Sequence, residues 1–175
     1  MLDMNPIYER NRTVTVRLAH PGDVEAMRAI RNHAIKHSTA LWTQTPQSPA
    51  EGVAWLAAHL ARGSAFVAEV EGEVAGFAVY GPWRELEGYR HTMEDSVYVC
   101  EDRHGLGVGS ALLTALITSA REVGHHVMIA GIEAENTASI RLHERFGFHH
   151  VGTVPEVGTK FGRWLDLTIM RLPLT

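Results

Sequence analysis

Along this chain the hydrophobic pattern switches repeatedly between a period of two and a helical period. Residues 13–18 alternate and predict a first strand. His20-Pro21-Gly22-Asp23 breaks it and starts a helix through Lys36, with Val24, Met27, Ile30, Ala34 and Ile35 on its buried side. A polar loop over 38–47 carries Trp42. Ser48-Pro49-Ala50-Glu51 then spells a capping box with proline at the first helical position, predicting a second helix to about Arg62. Residues 65–70 and 74–80 are apolar strands joined by a tight hairpin at Glu71-Gly72-Glu73, and Gly81-Pro82 closes the second. A strand is expected over 92–100, a helix behind the glycines that follow it, and a short buried strand over 127–132. Asn136-Thr137 offers N-cap chemistry for a last helix that Gly147 terminates in the αL conformation. Strands near 148–154 and 164–172 complete the chain. The order β-α-α-β-β-β-α-β-α-β-β, with hairpins early and a β-α-β crossover late, predicts a single α/β domain. Its sheet is mixed but mostly antiparallel, with helices on both faces. Residues 1–12 read as an N-terminal extension and 13–175 as the domain.

The most informative segment runs from Val97 to Ser110, a strand and an acidic turn followed by Gly105, Gly107 and Gly109 opening a helix. Behind the glycines, Val108, Ala111, Leu112, Ala115, Leu116 and Val123 follow helical spacing. Glycine lets backbone turn sharply and come close to a ligand. The free N–H groups of a first helical turn suit a pyrophosphate. No Gly-Lys-Ser/Thr is present, which excludes a P-loop, and Ser110 stands where a dinucleotide fingerprint needs its third glycine.

Composition narrows the picture. A length of 175 residues suits one domain with a full core, and a formal charge of −4 supplies no basic footprint for nucleic acid. No apolar run reaches membrane-spanning length, and the first residues lack the apolar stretch of a signal peptide, so no membrane partner is expected. The single cysteine, Cys100, fits a cytoplasmic location. Eleven histidines do not imply a metal: His33 and His37 are spaced i, i+4, but Ile35-Lys36 replaces the glutamate of a zincin motif. None is expected.

This element order, with a glycine turn after the fourth strand and Asn136 opening the last helix, resembles the GNAT acetyl-CoA-dependent N-acyltransferases. Their Arg/Gln-x-x-Gly-x-Gly/Ala motif falls on 104–109, with His104 in the place of the usual Arg or Gln and Arg103 beside it. Within that family the segments NHAIKHSTALW, YGPWRELEGYRHTMEDSVYV, HVMIAGIEAENTASIRLHERFGF and KFGRWLDLTIMRLPL are similar to the phosphinothricin and methionine sulfoximine acetyltransferases. The resemblance implies acetyl-CoA as co-substrate, a small amino acid or analogue acetylated on its α-amine, and a homodimer with the strands over 164–172 at or near the contact. It implies acetyl-CoA contacts from Val97, Tyr98, Val99, His104, Gly105, Leu106, Gly107, Val108, Gly109, Ser110 and Asn136. Acceptor contacts would come from Arg84, Glu85, Leu86, Glu94, Asp95 and Ser96; the subfamily often has Pro-Phe where Glu85-Leu86 stands.

An α-ammonium cannot attack a thioester until it loses a proton, so a base must sit near it. By the resemblance, Glu94 is that base, and His143 is a second catalytic group whose role, acid or base, stays open. Arg84 can hold a carboxylate by a paired fork, and Trp83, Tyr89 and Trp42 are candidate walls for the acceptor side chain. Transfer through a thioester on Cys100 is disfavoured, because Glu101 and Asp102 raise a thiol's pKa. Direct transfer in a ternary complex is expected. Two alternatives stay open, acetylation of another small amine or a peptide N-terminus, and a non-catalytic acetyl-CoA-binding sensor.

Overall fold

The computed structural model describes residues 13–175. The N-terminal extension over 1–12 lies outside the described residues. The elements are β1 (Val14–Leu18), α1 (Val24–His37), α2 (Pro49–Leu60), β2 (Ala65–Val70), β3 (Glu73–Pro82), β4 (Thr92–Val99), α3 (Val108–Val123), β5 (Val127–Glu133), α4 (Thr137–Arg145), β6 (His149–Lys160) and β7 (Arg163–Pro173). Their order is the predicted one. Among the described residues the strands form one seven-stranded sheet, in the order β1-β2-β3-β4-β5-β7-β6. Every neighbouring pair is antiparallel except β4 with β5.

Alternation along the central strands splits the core in two. Phe66, Ala68 and Val70 of β2 face α3, while Ala65 and Val67 pack with Met27 of α1 and Leu56 of α2. Fully buried side chains such as Leu112, Leu116 and Phe77 each contribute about 1.5–3 kcal/mol relative to an exposed position. Local chemistry supports the helices as expected. Ser48 accepts from the Glu51 N–H while the Glu51 carboxylate accepts from the Ser48 N–H, and Gly147 holds φ at 87° after α4.

Three expectations are corrected. The buried face of α3 is wider and rotated from the predicted stripe: Val108, Leu112, Leu113, Leu116, Ile117 and Ala120 are buried, whereas Ala111 and Ala115 fall at its margin. Val123 is 60% exposed although it lies two turns from Leu116 on the same side, so the last turn overhangs the core. Strand β6 runs on to Lys160 rather than ending near Val154. As the edge strand it absorbs Pro155 and the positive φ of Glu156 in an irregularity of register between Val154 and Gly158. Helix α2 also ends at Leu60, short of Arg62.

Pairing between β4 and β5 is confined to Thr92–Glu94 against Val127–Ile129. Beyond it, β4 stays paired with β3 as far as Val99, and β5 with β7 as far as Glu133. The sheet therefore forks from Asp95 and Ala130 onward, leaving main-chain N–H and C=O groups facing a cleft. At the far side of β4, a Cβ on Gly76 would lie 2.6 Å from the Tyr98 carbonyl oxygen and 3.2 Å from Val99 Cα. Backbone cannot yield as a side chain can, so Gly76→Ala is expected to cost about 1–3 kcal/mol in chemical denaturation, the range for overpacking. Wild-type stability would show that β3 and β4 have slack at this point.

Candidate active site

Because successive residues of β4 point to opposite faces, the strand divides its polar side chains between two cavities. The cleft inside the fork is lined by Asp95, Val97, Gly131, Glu133, Asn136 and His143, among others. A second cavity, of about 160 Å³, opens on the α1/α2 face between Arg31, Trp55, His59, Gly81 and Glu94. Ser96 and Tyr98 line both. Glu94 also reaches the cleft wall, where a Cβ on Gly131 would sit 3.0 Å from Glu94 Oε1. The two cavities meet at Glu94, Ser96 and Tyr98.

Glu94 is a half-buried carboxyl. Desolvation, and then the neighbouring charge of Asp95, push its pKa above the ordinary carboxylate range, while the Arg84 guanidinium opposes them. Such a group takes up a proton more readily than an exposed glutamate. Next to it, Asp95 and His143 are 7% and 3% exposed and joined by a 2.9 Å contact between Oδ2 and Nε2. His143 Nδ1 lies 2.8 Å from the Ser139 carbonyl oxygen, which can only accept, so Nδ1 carries a hydrogen. Phe148 stands edge-on to the ring at 4.9 Å between centroids. Burial by itself lowers the imidazole pKa; the hydrogen bond and charge of Asp95, with the Ser139 carbonyl, outweigh it and hold the pKa above the usual value. The pair's contribution to stability is accordingly full below the ordinary imidazole value and is lost as pH rises through the raised one. Both ring nitrogens are thus occupied by protein. The atom left over is Asp95 Oδ1, buried, without a partner among the described residues, and on a residue of the cleft wall.

The glycine turn has the geometry its sequence suggested. Gly105 and Gly107 hold φ at 78° and 83°, and Gly107 is the N-cap of α3. Among the described residues the first amide beyond the turn to reach a carbonyl is that of Ala111, on Gly107 O at 3.0 Å. None of the amides before it, at 105–110, has a backbone acceptor among the described residues. His104 is exposed, with Nε2 3.3 Å from the Val99 carbonyl, and Leu106 packs against the core. Arg103 turns away from the glycines toward Glu71, Glu73 and Asp102. Asn136 caps α4 through its side-chain oxygen, which accepts from the Ser139 N–H at 3.1 Å.

The loop after β3 is arranged differently from expectation. Arg84 lies over Trp83 at 4.6 Å and near Tyr89 at 6.0 Å, with Glu85 and Leu86 exposed. None of the three lines either cavity. Neither Trp83, Tyr89 nor Trp42 walls the second cavity: Trp42 packs on Gly158 and donates Nε1–H to the Thr39 carbonyl at 2.9 Å. Trp55 and Tyr98 supply the aromatic wall. The sequence reading also missed Arg31 and His59. Arg31 had a signal, since it sits one turn from both Met27 and Ile35 and so puts a cation in the apolar stripe of α1.

One residue missed in the sequence shapes the site from outside. Lys160, buried on β6, donates Nζ–H to the Ser38 and Leu41 carbonyls at 2.6 and 2.5 Å. Thr39 Oγ1 lies 3.2 Å from Glu133 Oε2. Together they fix the loop from which Ala40 lines the cleft and Leu41 the second cavity.

The chain matches the acetyltransferase (GNAT) family over residues 27–148. It belongs to that family. An L-methionine sulfoximine/L-methionine sulfone acetyltransferase from Pseudomonas paraeruginosa is 48% identical over 164 residues, covering 93% of this chain and 95% of the relative. A phosphinothricin N-acetyltransferase from Alcaligenes faecalis is 38% identical over 162 residues, covering 91% and 82%. A solved acetyltransferase from Salmonella typhimurium, with its cofactor acetyl-CoA, has a TM-score of 0.90 at 45% identity, over 93% of this chain and 94% of that one.

In this GNAT acetyltransferase the opposing influences on Glu94 yield a signed expectation. Arg84→Ala removes the charge that holds the Glu94 carboxyl down, so the acid limb of kcat/KM is expected to move to higher pH. A limb that stays in place or moves to lower pH would take Arg84 out of the electrostatic surroundings of Glu94.

Proposed function

We propose that this protein transfers the acetyl group of acetyl-CoA directly to the α-amine of a small amino acid or analogue, of the phosphinothricin, methionine sulfoximine or methionine sulfone type. The observation that carries the reading is the place of Glu94, a carboxyl with a raised pKa where two cavities on opposite sheet faces meet. One cavity holds the donor and the other the acceptor. The second, at about 160 Å³, is well below the ~300–1,000 Å³ of a drug-sized ligand site, which favours a compact acceptor.

The residues present fit acetyl-CoA. The unbonded amides over 105–110, at the N-terminus of a long helix, suit a pyrophosphate and need nothing from the side chain of His104. The open main chain of the fork, from Val97 to Val99 and opposite them on β5, suits the amides of a pantetheine arm, as does the side-chain NH₂ of Asn136. When bound, acetyl-CoA supplies an activated acyl carbonyl. The chain's own work is to place the amine beside Glu94, which accepts the ammonium proton at its carboxylate. The His143–Asp95 pair holds a second proton at the cleft wall. Both ring nitrogens of His143 are engaged by protein, so His143 acts through Asp95 rather than on substrate. Arg84, which lies outside the cavity lining but whose charge reaches Glu94, takes the α-carboxylate by moving off the Trp83 ring, with Glu85 and Leu86 beside it. Cys100 takes no part: burial and then Asp102 push its thiol pKa up, the wrong direction for a nucleophile. With its one cysteine reduced, the protein suits the cytoplasm.

Thiol release from acetyl-CoA with a panel of amines tests the activity. Glu94→Gln is expected to leave acetyl-CoA binding intact while lowering kcat/KM by about 10²–10⁴, the range for a positioned general base. The deficit is expected to shrink as pH approaches the amine's own pKa. A near-wild-type rate at pH 7 would remove Glu94 as the base.

We also propose a homodimer. The apolar surface lies chiefly on the edge strand β6 and its turn, where Val151, Val154, Val157 and Phe161 are exposed, and continues to Trp164, which is 68% exposed. Within 164–172 Leu165, Met170 and Leu172 are buried, so the contact shifts from β7 toward β6. An uncovered edge with this many apolar side chains is an aggregation hazard. Light scattering at micromolar protein is expected to give twice the chain mass, and a monomer mass would exclude the dimer.

A further inference from the structure

The second cavity is lined by an arginine, Arg31, that has no hydrogen-bond or ion-pair partner among the described residues. Arg17, Arg28 and Arg103, which are also partly buried, each pair with at least one carboxylate. Arg31 has neither a hydrogen bond nor an ion pair among the described residues; its recorded contact is the face of Trp55, 5.7 Å from its Cζ. It lines the same cavity as Glu94, and its charge reaches His59 and Tyr98, two other lining residues. Packing draws it there, because Met27 and Ile35, one turn to either side, are fully buried against the sheet. Arg31 is a half-buried residue, and the N–H donors of its guanidinium have no hydrogen-bond acceptor among the described residues. Acceptor oxygens brought by a ligand would engage them through a charge-assisted fork.

We infer that Arg31 is the subsite for the far end of the acceptor's side chain, binding a tetrahedral phosphinate, sulfone or sulfoximine group through two of its electron-rich atoms. This rests on the function proposed above, in which Arg84 takes the α-carboxylate. The acceptor then spans the cavity with an arginine at each end and its amine beside Glu94, and its methylenes lie along Trp55. His59 completes the wall. Burial, with the charges of Arg62 and Arg31, outweighs the Tyr80 carbonyl and lowers its imidazole pKa, which disfavours a competing cation. Its Nδ1 lies 3.2 Å from the Tyr80 carbonyl, which fixes the ring as an Nδ1–H donor. An unoxidised thioether offers Arg31 only a weak acceptor, so the subsite separates oxidised from unoxidised analogues of the same length.

The test compares wild type, Arg31→Met and Arg31→Lys on L-methionine sulfone, L-phosphinothricin and L-methionine, with acetyl-CoA KM and Tm as controls. Arg31→Met is expected to lower kcat/KM for the first two by at least about 30-fold, and that for methionine by no more than about threefold. Arg31→Lys keeps the charge and loses the fork, so it is expected to fall between. It also carries the comparison should the methionine variant fold poorly. Equal losses on all three acceptors, or no loss on any, would overturn the subsite while leaving the acetyltransferase reading in place. Conversely, calorimetric binding of methionine sulfone that depends on Arg31, in a wild-type protein that does not acetylate it, would support the subsite and remove the proposed function.

Discussion

The arrangement depends on how a forked sheet is held open and yet held together. Three residue pairs join β4 to β5, and past them the strands separate, each kept in the sheet by its other neighbour. Across that gap the 2.9 Å contact of Asp95 with His143 ties β4 to α4, the helix that follows β5. Both groups are sealed from water, so removing either leaves a charge or a polar ring stranded in a low-dielectric site, a loss commonly of about 3–5 kcal/mol. The same contact joins two residues of the cleft lining, Asp95 and His143. Holding the fold and shaping the site are here one interaction.

The two-residue repeat of a strand then sorts the chemistry. Glu94, Ser96 and Tyr98 share the α1/α2 side of β4, and Asp95, Val97 and Val99 the α3/α4 side. A single strand at the mouth of the fork therefore presents one carboxyl to each cavity, close enough that Asp95 raises the pKa of Glu94. The glycine turn follows β4 after one short 3-10 turn over Glu101–Arg103, so the amides at the start of α3 come a few residues beyond the strand that lines the cleft. Both cavities are lined by this short run of sequence, which has to stay closely packed on β3; that is why Gly76 lacks a side chain.

Much of this was legible in the chain. The element order, the capping box at Ser48, the hairpin at Glu71-Gly72, the αL glycine at 147 and the glycine turn all rest on local chemistry, where a few adjacent residues decide the backbone. The membership in the GNAT family was legible as well, through long segments of ordered resemblance. Less legible were features set by partners distant in sequence. The strand expected to end near Val154 continues, bulged, through Pro155 and Glu156 to Lys160 because the sheet edge tolerates it. Trp42 reads as a pocket wall and is instead packed on Gly158, more than a hundred residues away.

The sequence by itself determined the elements, their order and the residue types at the glycine turn, because capping, turn geometry and hydrophobic periodicity act over a few residues. It put Glu94 and Asp95 on opposite faces of one strand, since a period of two requires it. Only the tertiary structure decided where the sheet forks, that both nitrogens of His143 are occupied, and that Arg103 belongs to a hairpin rather than to the glycine turn. It alone brought Arg31 and Trp55 from two helices to the cavity of Glu94, and Lys160 to the loop that closes it. These outcomes depend on which distant groups compete for the same donors, acceptors and buried space, and that competition is settled only when the whole sheet is packed.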